Sequence, residues 1–269
     1  MPEKHEHVSL IDSFSIQMRV IGALLVREMI TRFGRNNLGI LWLFLEPMIL
    51  VVGVTVLWNI HLHGIQLRGS SLSVTAFAWI GYSTVMMWRQ ATMKCGKAVE
   101  PNVSLLFHRN VKVLDLFLSR IILEIAGATI AWVLIGIALI YFELIPWPRD
   151  IVLMLLGWFL LMWYTLGLGF IVGALSERWE VFMNFYHPSM YFYLGISGAF
   201  FMVDWLPEYL RQLAVWVPTV TVTEMIRHGY YGDVVRTYEQ PGYLCVLSLA
   251  LTFIGLLLSK ETQYRIGQE

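Results

Sequence analysis

Charge is what this sequence has least of. Only 14% of its 269 residues are Asp, Glu, Lys or Arg, against about 25% in an average soluble domain. Hydrophobic residues make up 57%, so too little polar surface remains to cover a water-soluble globule of this size. Neither sign is in excess, with 19 basic and 19 acidic residues, which argues against a nucleic-acid face or a polyanion-binding tail. Cysteine is nearly absent as well: Cys95 falls in a basic connection and Cys245 in an apolar run, a pattern of small hydrophobes rather than of a disulfide framework. The start, MPEKHEHVSL, is polar and lacks the charged-then-apolar pattern of a secretory signal, so insertion is expected to rely on internal spans. A phosphate-binding G-x-x-x-x-G-K-[ST] loop is missing too. Gly96-Lys97 is followed by Ala98, and Ala91 stands where its first glycine would be. The chain is therefore expected to bind no ATP through a loop of its own, and, with the protease and metal patterns below incomplete, it is read as no enzyme and as holding no cofactor or metal. Uphill movement would need an ion gradient or a partner.

What is present comes in apolar blocks with charged connections. A hydrocarbon layer about 30 Å thick takes roughly 20 apolar residues as a helix. Six stretches qualify: 38–60, 72–92, 117–142, 151–175, 181–203 and 242–259. The side assignment follows from lysine and arginine. Fourteen of them lie on one side: Lys4, Arg19, Arg27, Arg32 and Arg35; Arg89, Lys94, Lys97, Arg109, Lys112 and Arg120; Arg178, Lys260 and Arg265. Five lie on the other: Arg68, Arg149, Arg211, Arg227 and Arg236. The expected product is an all-α polytopic membrane protein, one domain over 1–269, with six transmembrane helices and both termini cytoplasmic.

Two segments outside the spans carry their own pattern. Over 10–34, Ile11, Phe14, Met18, Ile21, Leu25 and Met29 recur at helical steps, while Ser15, Arg19, Arg27 and Glu28 take other faces. This spacing predicts an amphipathic helix along the cytoplasmic interface; a helix packed on the bundle is the alternative. Over 204–241, Asp204-Trp205-Leu206-Pro207 reads as a helix start and Gly229 and Gly232 as turns. Non-spanning backbone enters a membrane only where protein or water satisfies it, so short re-entrant helices are expected over an external mouth.

The energy source can be narrowed. A gradient-driven relay needs intramembrane acids, and Glu46, followed by Pro47, is the one candidate; a static pair with Arg32, Arg35 or Arg89 is its bland reading. A partner-driven device needs a docking element on the cytoplasmic side. Residues 94–120 supply a candidate in Val99 to His108, a turn and short helix inside the most basic connection; a topology-fixing linker reads equally well. Gly195-Ile196-Ser197-Gly198 matches the G-x-S-G of rhomboid proteases, but the last span holds no histidine to activate a serine. His61-x-His63 and His5-x-His7 have no further ligand at metal spacing.

The aromatics remain. Nine of the 25 residues from 181 to 205 are Phe, Tyr or Trp. In the second span, Thr75, Trp79, Tyr82, Met86 and Arg89 fall at steps of four, three, four and three, one face ending in a cation. Rings stack on sugar C–H faces, and an arginine holds a carboxylate or phosphate. An interfacial aromatic belt explains Trp58, Trp147 and Trp205, but mid-span Tyr82, Tyr191 and Tyr193 less well.

Several motifs resemble a known family. Arg35-Asn36-Asn37-Leu38-Gly39-Ile40-Leu41-Trp42 with Glu46-Pro47, then Asn102 to His108 followed by Arg109 to Asp115, look like an ABC-2 type permease. Ser197 to Pro207, with Pro218 through Glu224-Met225-Ile226-Arg227, resemble the capsular polysaccharide export permeases of the KpsM type. The resemblance implies a homodimer in a Gram-negative inner membrane, bound to two copies of a separate ABC ATPase that carries ATP and Mg. It also implies export of a lipid-linked acidic polysaccharide, with a periplasmic co-polymerase and an outer-membrane exporter as further partners. O-antigen or teichoic acid is the alternative load. Carried onto this chain, 94–112 with Asn102, Leu105, Leu106, Phe107 and His108 would be the coupling helix. Residues 195–229 with Ser197, Gly198, Asp204, Glu224 and Arg227 would be the external gate. Trp42, Trp79, Tyr82, Tyr186, Tyr191 and Tyr193 would line the path, with Arg89 meeting polymer anions at its inner mouth.

Overall fold

The computed structural model describes residues 10–33, 73–106 and 111–267, together with Leu45, Met48, Ile49, Val52, Gly53, Val56 and Leu57. The expected first span, with Trp42, Glu46 and Pro47, otherwise lies outside the described residues, as do Phe107 and His108. Regular structure is helical throughout the described residues.

Among the described residues, three helices are long and apolar enough to cross a membrane: α4 (Val113–Tyr141), α5 (Ile151–Arg178) and α9 (Pro241–Ile266). Local chemistry starts each one. The Asp115 carboxylate accepts from the Lys112 amide at 2.8 Å, the Asp150 carboxylate accepts from the Leu153 amide at 2.9 Å, and Pro241 opens α9 where its missing N–H costs nothing. α9 packs most extensively on α5.

Inside them stands α2 (Val74–Cys95), 22 residues and so about 33 Å long. It is less apolar than the other three and far more enclosed, with 15 of its residues buried. Its core contacts form a stack of indoles. Trp79 lies 5.6 Å from Trp132 of α4, which lies 4.1 Å from Trp158 of α5, all nearly parallel. The Trp158 N–H donates to Thr129 Oγ1 at 3.1 Å.

The expected fifth span is shorter than its hydropathy suggests. Helix α6 (Phe182–Ile196) has 15 residues, about 22 Å, which falls short of a bilayer core about 30 Å thick. Pro188 sits within it. The chain then leaves the helix at Ser197 and continues as bends into a 3₁₀ turn at Val203–Trp205. Two further helices follow, α7 (Glu208–Ala214) and α8 (Pro218–Tyr231). α8 lies against α5 and α2 with 12 of its 14 residues buried.

At the opposite end of the bundle, α1 (Leu10–Phe33) packs on the start of α4. Its faces differ from the expected ones. Ile21, Leu24 and Glu28 turn inward, while Phe14, Met18, Val26 and Ile30 are exposed. The connection after α2 is also at this end. It forms a 3₁₀ turn at Glu100–Asn102 and the one-turn helix α3 (Val103–Leu106). A second apolar cluster, including Leu24, Cys95, Val99, Val113, Phe117 and Phe170, holds these pieces together.

The indole stack generates a stability prediction. Trp132→Ala removes the ring between two others and leaves a cavity, at a cost of about 3–5 kcal/mol. Trp132→Phe is expected to cost clearly less, with melting of the purified chain in lipid nanodiscs as the readout.

Candidate functional site

Two groups of side chains stand apart from ordinary core packing. The first closes the end of the molecule where α6 stops. Gly198 has φ +84, a left-handed turn that suits glycine, and the chain there points its carbonyls inward. Arg227 of α8 receives them. Its Nη1 donates to Gly198 O at 2.8 Å and to Phe201 O at 2.6 Å, and its Nη2 donates to Ala199 O at 2.9 Å. The guanidinium is 0% exposed, and Glu224 one turn earlier is 1% exposed with its carboxylate 3.8 Å away. The Val203 amide donates to that same carboxylate at 3.4 Å. Phe77 of α2 lies under the cation, 3.8 Å from ring centre to Cζ, and Trp205 stacks on Phe77 at 5.3 Å. A charge buried this deeply is tolerable only when paired and hydrogen-bonded. Here the pairing also satisfies irregular backbone that has left its helix.

The approach of this loop to α2 depends on one missing side chain. A Cβ at Gly81 would fall 2.3 Å from the Ala199 carbonyl oxygen and 3.0 Å from Arg227 Nη2. Threonines of α8 complete the contact. Thr219 Oγ1 is 3.1 Å from the Tyr193 hydroxyl, and Thr223 Oγ1 is 3.4 Å from Thr84 Oγ1. Ser197 is committed locally, donating from Oγ to Leu194 O at 2.7 Å. Asp204 stands outside the arginine cage, 3.9 Å from Arg211 and accepting from the Tyr238 hydroxyl at 3.4 Å. Nearby, His228 contacts the Glu239 carboxylate. Burial works against charge on Glu239, yet hydrogen bonds from Thr237 and His228 outweigh it and hold the carboxyl below its usual range.

The second group is an open aromatic surface with one cation. Arg89 lies 5.4 Å from the ring centre of Tyr191 across the α2–α6 contact, and Tyr82 is half-buried two helical turns before Arg89. Tyr191 and Phe192 are exposed, Phe192 at 83%. Tyr186 and Tyr193 lie deeper. The Tyr186 hydroxyl donates to Thr92 Oγ1 at 2.9 Å, and Tyr193 sits edge-on to Trp88 at 5.0 Å. Trp79 departs from the expected open face, because its ring is 3% exposed inside the indole stack. The structure thus brings Tyr82, Arg89 and Tyr191 together and leaves Trp79 out.

At the far end, Asn102 is buried, donating from Nδ2 to Ala98 O at 2.8 Å. Leu105 and Leu106 pack inward on the second cluster. Glu100, Pro101, Val103 and Ser104 are the exposed residues of this turn. Sequence reasoning missed Gly81, Phe77 and Glu28. An acid set four residues after Leu24 and seven after Ile21 was a readable signal for the last.

Apolar helices of spanning length, with buried polar closure at one end and basic connections at the other, define an integral membrane protein of several spans. The chain belongs to the ABC-2 type transporter family, whose sequence profile matches residues 19–231. It is 43% identical over 249 residues to the capsule polysaccharide export inner-membrane protein BexB of Haemophilus influenzae, covering 93% of each chain. The same identity holds over 257 residues, 95% of each, for the capsule polysaccharide export inner-membrane protein CtrC of Neisseria meningitidis serogroup A. Similarity extends at 26% to the polysialic acid transport protein KpsM of Escherichia coli, over 93% of this chain and 96% of that one.

The arginine cage makes a double-mutant prediction. Arg227→Met strands Glu224 and three carbonyls and is expected to cost about 3–5 kcal/mol, the range for breaking a buried pair on one side. Adding Glu224→Leu should recover part of the loss in thermal melts but leave the 198–201 loop labile, read as faster amide exchange there.

Proposed function

We propose that this chain is the membrane subunit of an ATP-driven exporter that moves lipid-anchored acidic capsular polysaccharide across the inner membrane of a Gram-negative bacterium. The observation that carries this reading is near-full-length likeness, at 43% identity, to two proteins named for capsule polysaccharide export. The surface chemistry agrees with it. Tyr82 and Tyr191 offer rings for sugar faces, and Arg89 between them offers a cation for carboxylates or phosphates.

In this reading two copies of the chain form the path, six spans each and termini in the cytoplasm, with the open face of α6 turned toward it. Two copies of a separate ABC ATPase bind ATP and Mg and dock on the 94–112 connection. Leu105 and Leu106 anchor that connection from inside, and Pro101, Val103 and Ser104 form its contact surface. α1 lies in the cytoplasmic interface, with Phe14, Met18, Val26 and Ile30 in lipid. The 195–229 segment is the external gate, held shut by Arg227 with Glu224. A periplasmic co-polymerase and an outer-membrane exporter receive the polymer beyond it.

Deleting the chain in its native host tests the reading. Loss of surface polysaccharide with lipid-linked acidic polymer retained in the cytoplasm is expected. Accumulation of a neutral polymer would instead select an O-antigen load, and unchanged polymer in both places would sink the proposal. Within a functional system, Arg89→Ala should lower export of acidic polymer at least tenfold while Arg89→Lys retains a substantial part. Wild-type export by Arg89→Ala would remove that residue from the path.

A further inference from the structure

The amphipathic pattern of α1 puts Glu28 on a face away from the apolar stripe, yet Glu28 is 7% exposed and shares the docked stripe with Ile21 and Leu24. A carboxylate in that position has to be compensated. Arg120, two turns into α4, supplies the charge, with Nη1 2.7 Å from Glu28 Oε2 and both side chains nearly covered. The other carboxylate oxygen, Oε1, accepts from Asn102 Nδ2 at 3.5 Å. Asn102 in turn accepts from Arg27 Nη1 at 2.5 Å through Oδ1. A second tie runs in parallel, where Gln17 of α1 donates to Asp115 at the start of α4.

Asn102 is the buried residue of a turn whose other residues face outward: Glu100 and Pro101 just before it, Val103 and Ser104 just after. Glu28 therefore joins its own helix, with exposed Phe14, Met18, Val26 and Ile30, to two other pieces of chain: the first turns of a spanning helix and the inner side of the exposed turn. Packing alone does not require a charge here, since a leucine pair of similar bulk would fill the same space. What the carboxylate adds is a fixed direction. It accepts from Arg120 on one side and Asn102 on the other, which sets the turn relative to α1.

We propose that Glu28 is a positioning residue that makes α1, the start of α4 and the exposed 100–104 turn one rigid unit, so that force on the turn moves α1 and α4 together. This rests on the reading of 94–112 as the ATPase-docking connection. The consequence is that the helix lying in the membrane surface follows the partner's stroke, instead of the turn bending beneath it.

The test uses the complete permease–ATPase complex in nanodiscs, with spin labels at Val26→Cys and Glu100→Cys in a Cys95→Ala, Cys245→Ala background. Both labelled positions are exposed, and neither is in the named contact surface. With one labelled and one unlabelled copy per complex, the wild-type chain is expected to give one narrow intra-chain interspin distance, unchanged between nucleotide-free and nucleotide-bound states. Glu28→Leu with Arg120→Leu is expected to keep the melting temperature within a few degrees but to broaden that distance at least twofold and lower polymer export per ATP hydrolysed. Exchanging the charges, Glu28→Arg with Arg120→Glu, tests whether the pair alone suffices; it should restore export per ATP only in part, because Asn102 loses its acceptor. If the leucine pair does not fold, Asn102→Ala removes the turn's bonds to Glu28 and Arg27, along with its local bond to Ala98 O, leaves the Glu28–Arg120 pair in place, and is expected to broaden the same distance. An equally narrow distance in the variant that folds overturns the proposal. A chain that binds no ATPase, or a native host whose polymer is undisturbed by its loss, would overturn the exporter reading instead, while the label distances would still report on the unit itself.

Discussion

Backbone that leaves a helix inside an apolar bundle must find partners, and the end of this molecule where α6 stops is arranged around how that demand is met. Arg227 answers it for three carbonyls within four residues at once. No other side chain brings five donors in a fixed fork without an acceptor that would itself need a partner. Once the cation is there, Glu224 neutralises it, Phe77 lies against its face, and Gly81 keeps the loop close enough to reach. Removing any one of these leaves the others poorly placed, which is why α8 can be enclosed on nearly every side while carrying three threonines, an acid and a base.

The opposite end meets a related problem by different means. There the backbone is mostly helical and the buried charges join separate elements instead of closing a loop. Asp115 caps α4 and accepts from Gln17, Val113 N donates to Gln263 of α9 at 2.6 Å, and Glu28 joins Arg120. One end of the bundle is thus held by a single enclosed arginine, the other by a distributed set of pairs spread over α1, α4, α9 and the intervening connection. Under the proposed function, a docking end and a gate are expected to differ in this way, since the first has to resist shear in several directions and the second only has to hold one loop.

The hydropathy of the chain made α4 and α5 legible to within four residues at each end, and the start of α9 to within one, because a long apolar run has few other folds open to it; α9 continues seven residues past the expected end as a polar helix. It also located α1 over almost the same residues. Orientation within the bundle was much less legible. In lipid, both the core face and the outer face of a helix are apolar, so periodicity does not say which is which. Trp79 looked like a residue of the open face and is instead the end of an indole stack. Glu28 looked solvent-facing and is enclosed. The length of α6 was overestimated for a related reason: Gly195 to Val203 is apolar enough to continue a span, and only the turn at Gly198 and its carbonyl contacts with Arg227 show where the helix stops. The polar residues in apolar surroundings, Glu28, Arg120, Glu224 and Arg227, hold the information that hydropathy averages away. Tyr82 with Arg89 was visible as a helical step, while its meeting with Tyr191 needed the packing of a second helix.

The three indoles of the core are also an optical device. Trp132 and Trp158 lie 4.1 Å apart with 6° between their planes, and Trp79 continues the column at 5.6 Å. Rings this close, with their transition dipoles lying in nearly parallel planes, share excitation, so their near-ultraviolet absorption and circular dichroism belong to the column and not to single rings. Each ring comes from a different helix, α2, α4 or α5. A sliding of any one against the others by a fraction of a ring width would alter the coupling, which makes the protein its own unlabelled gauge of whether these helices keep register while it works.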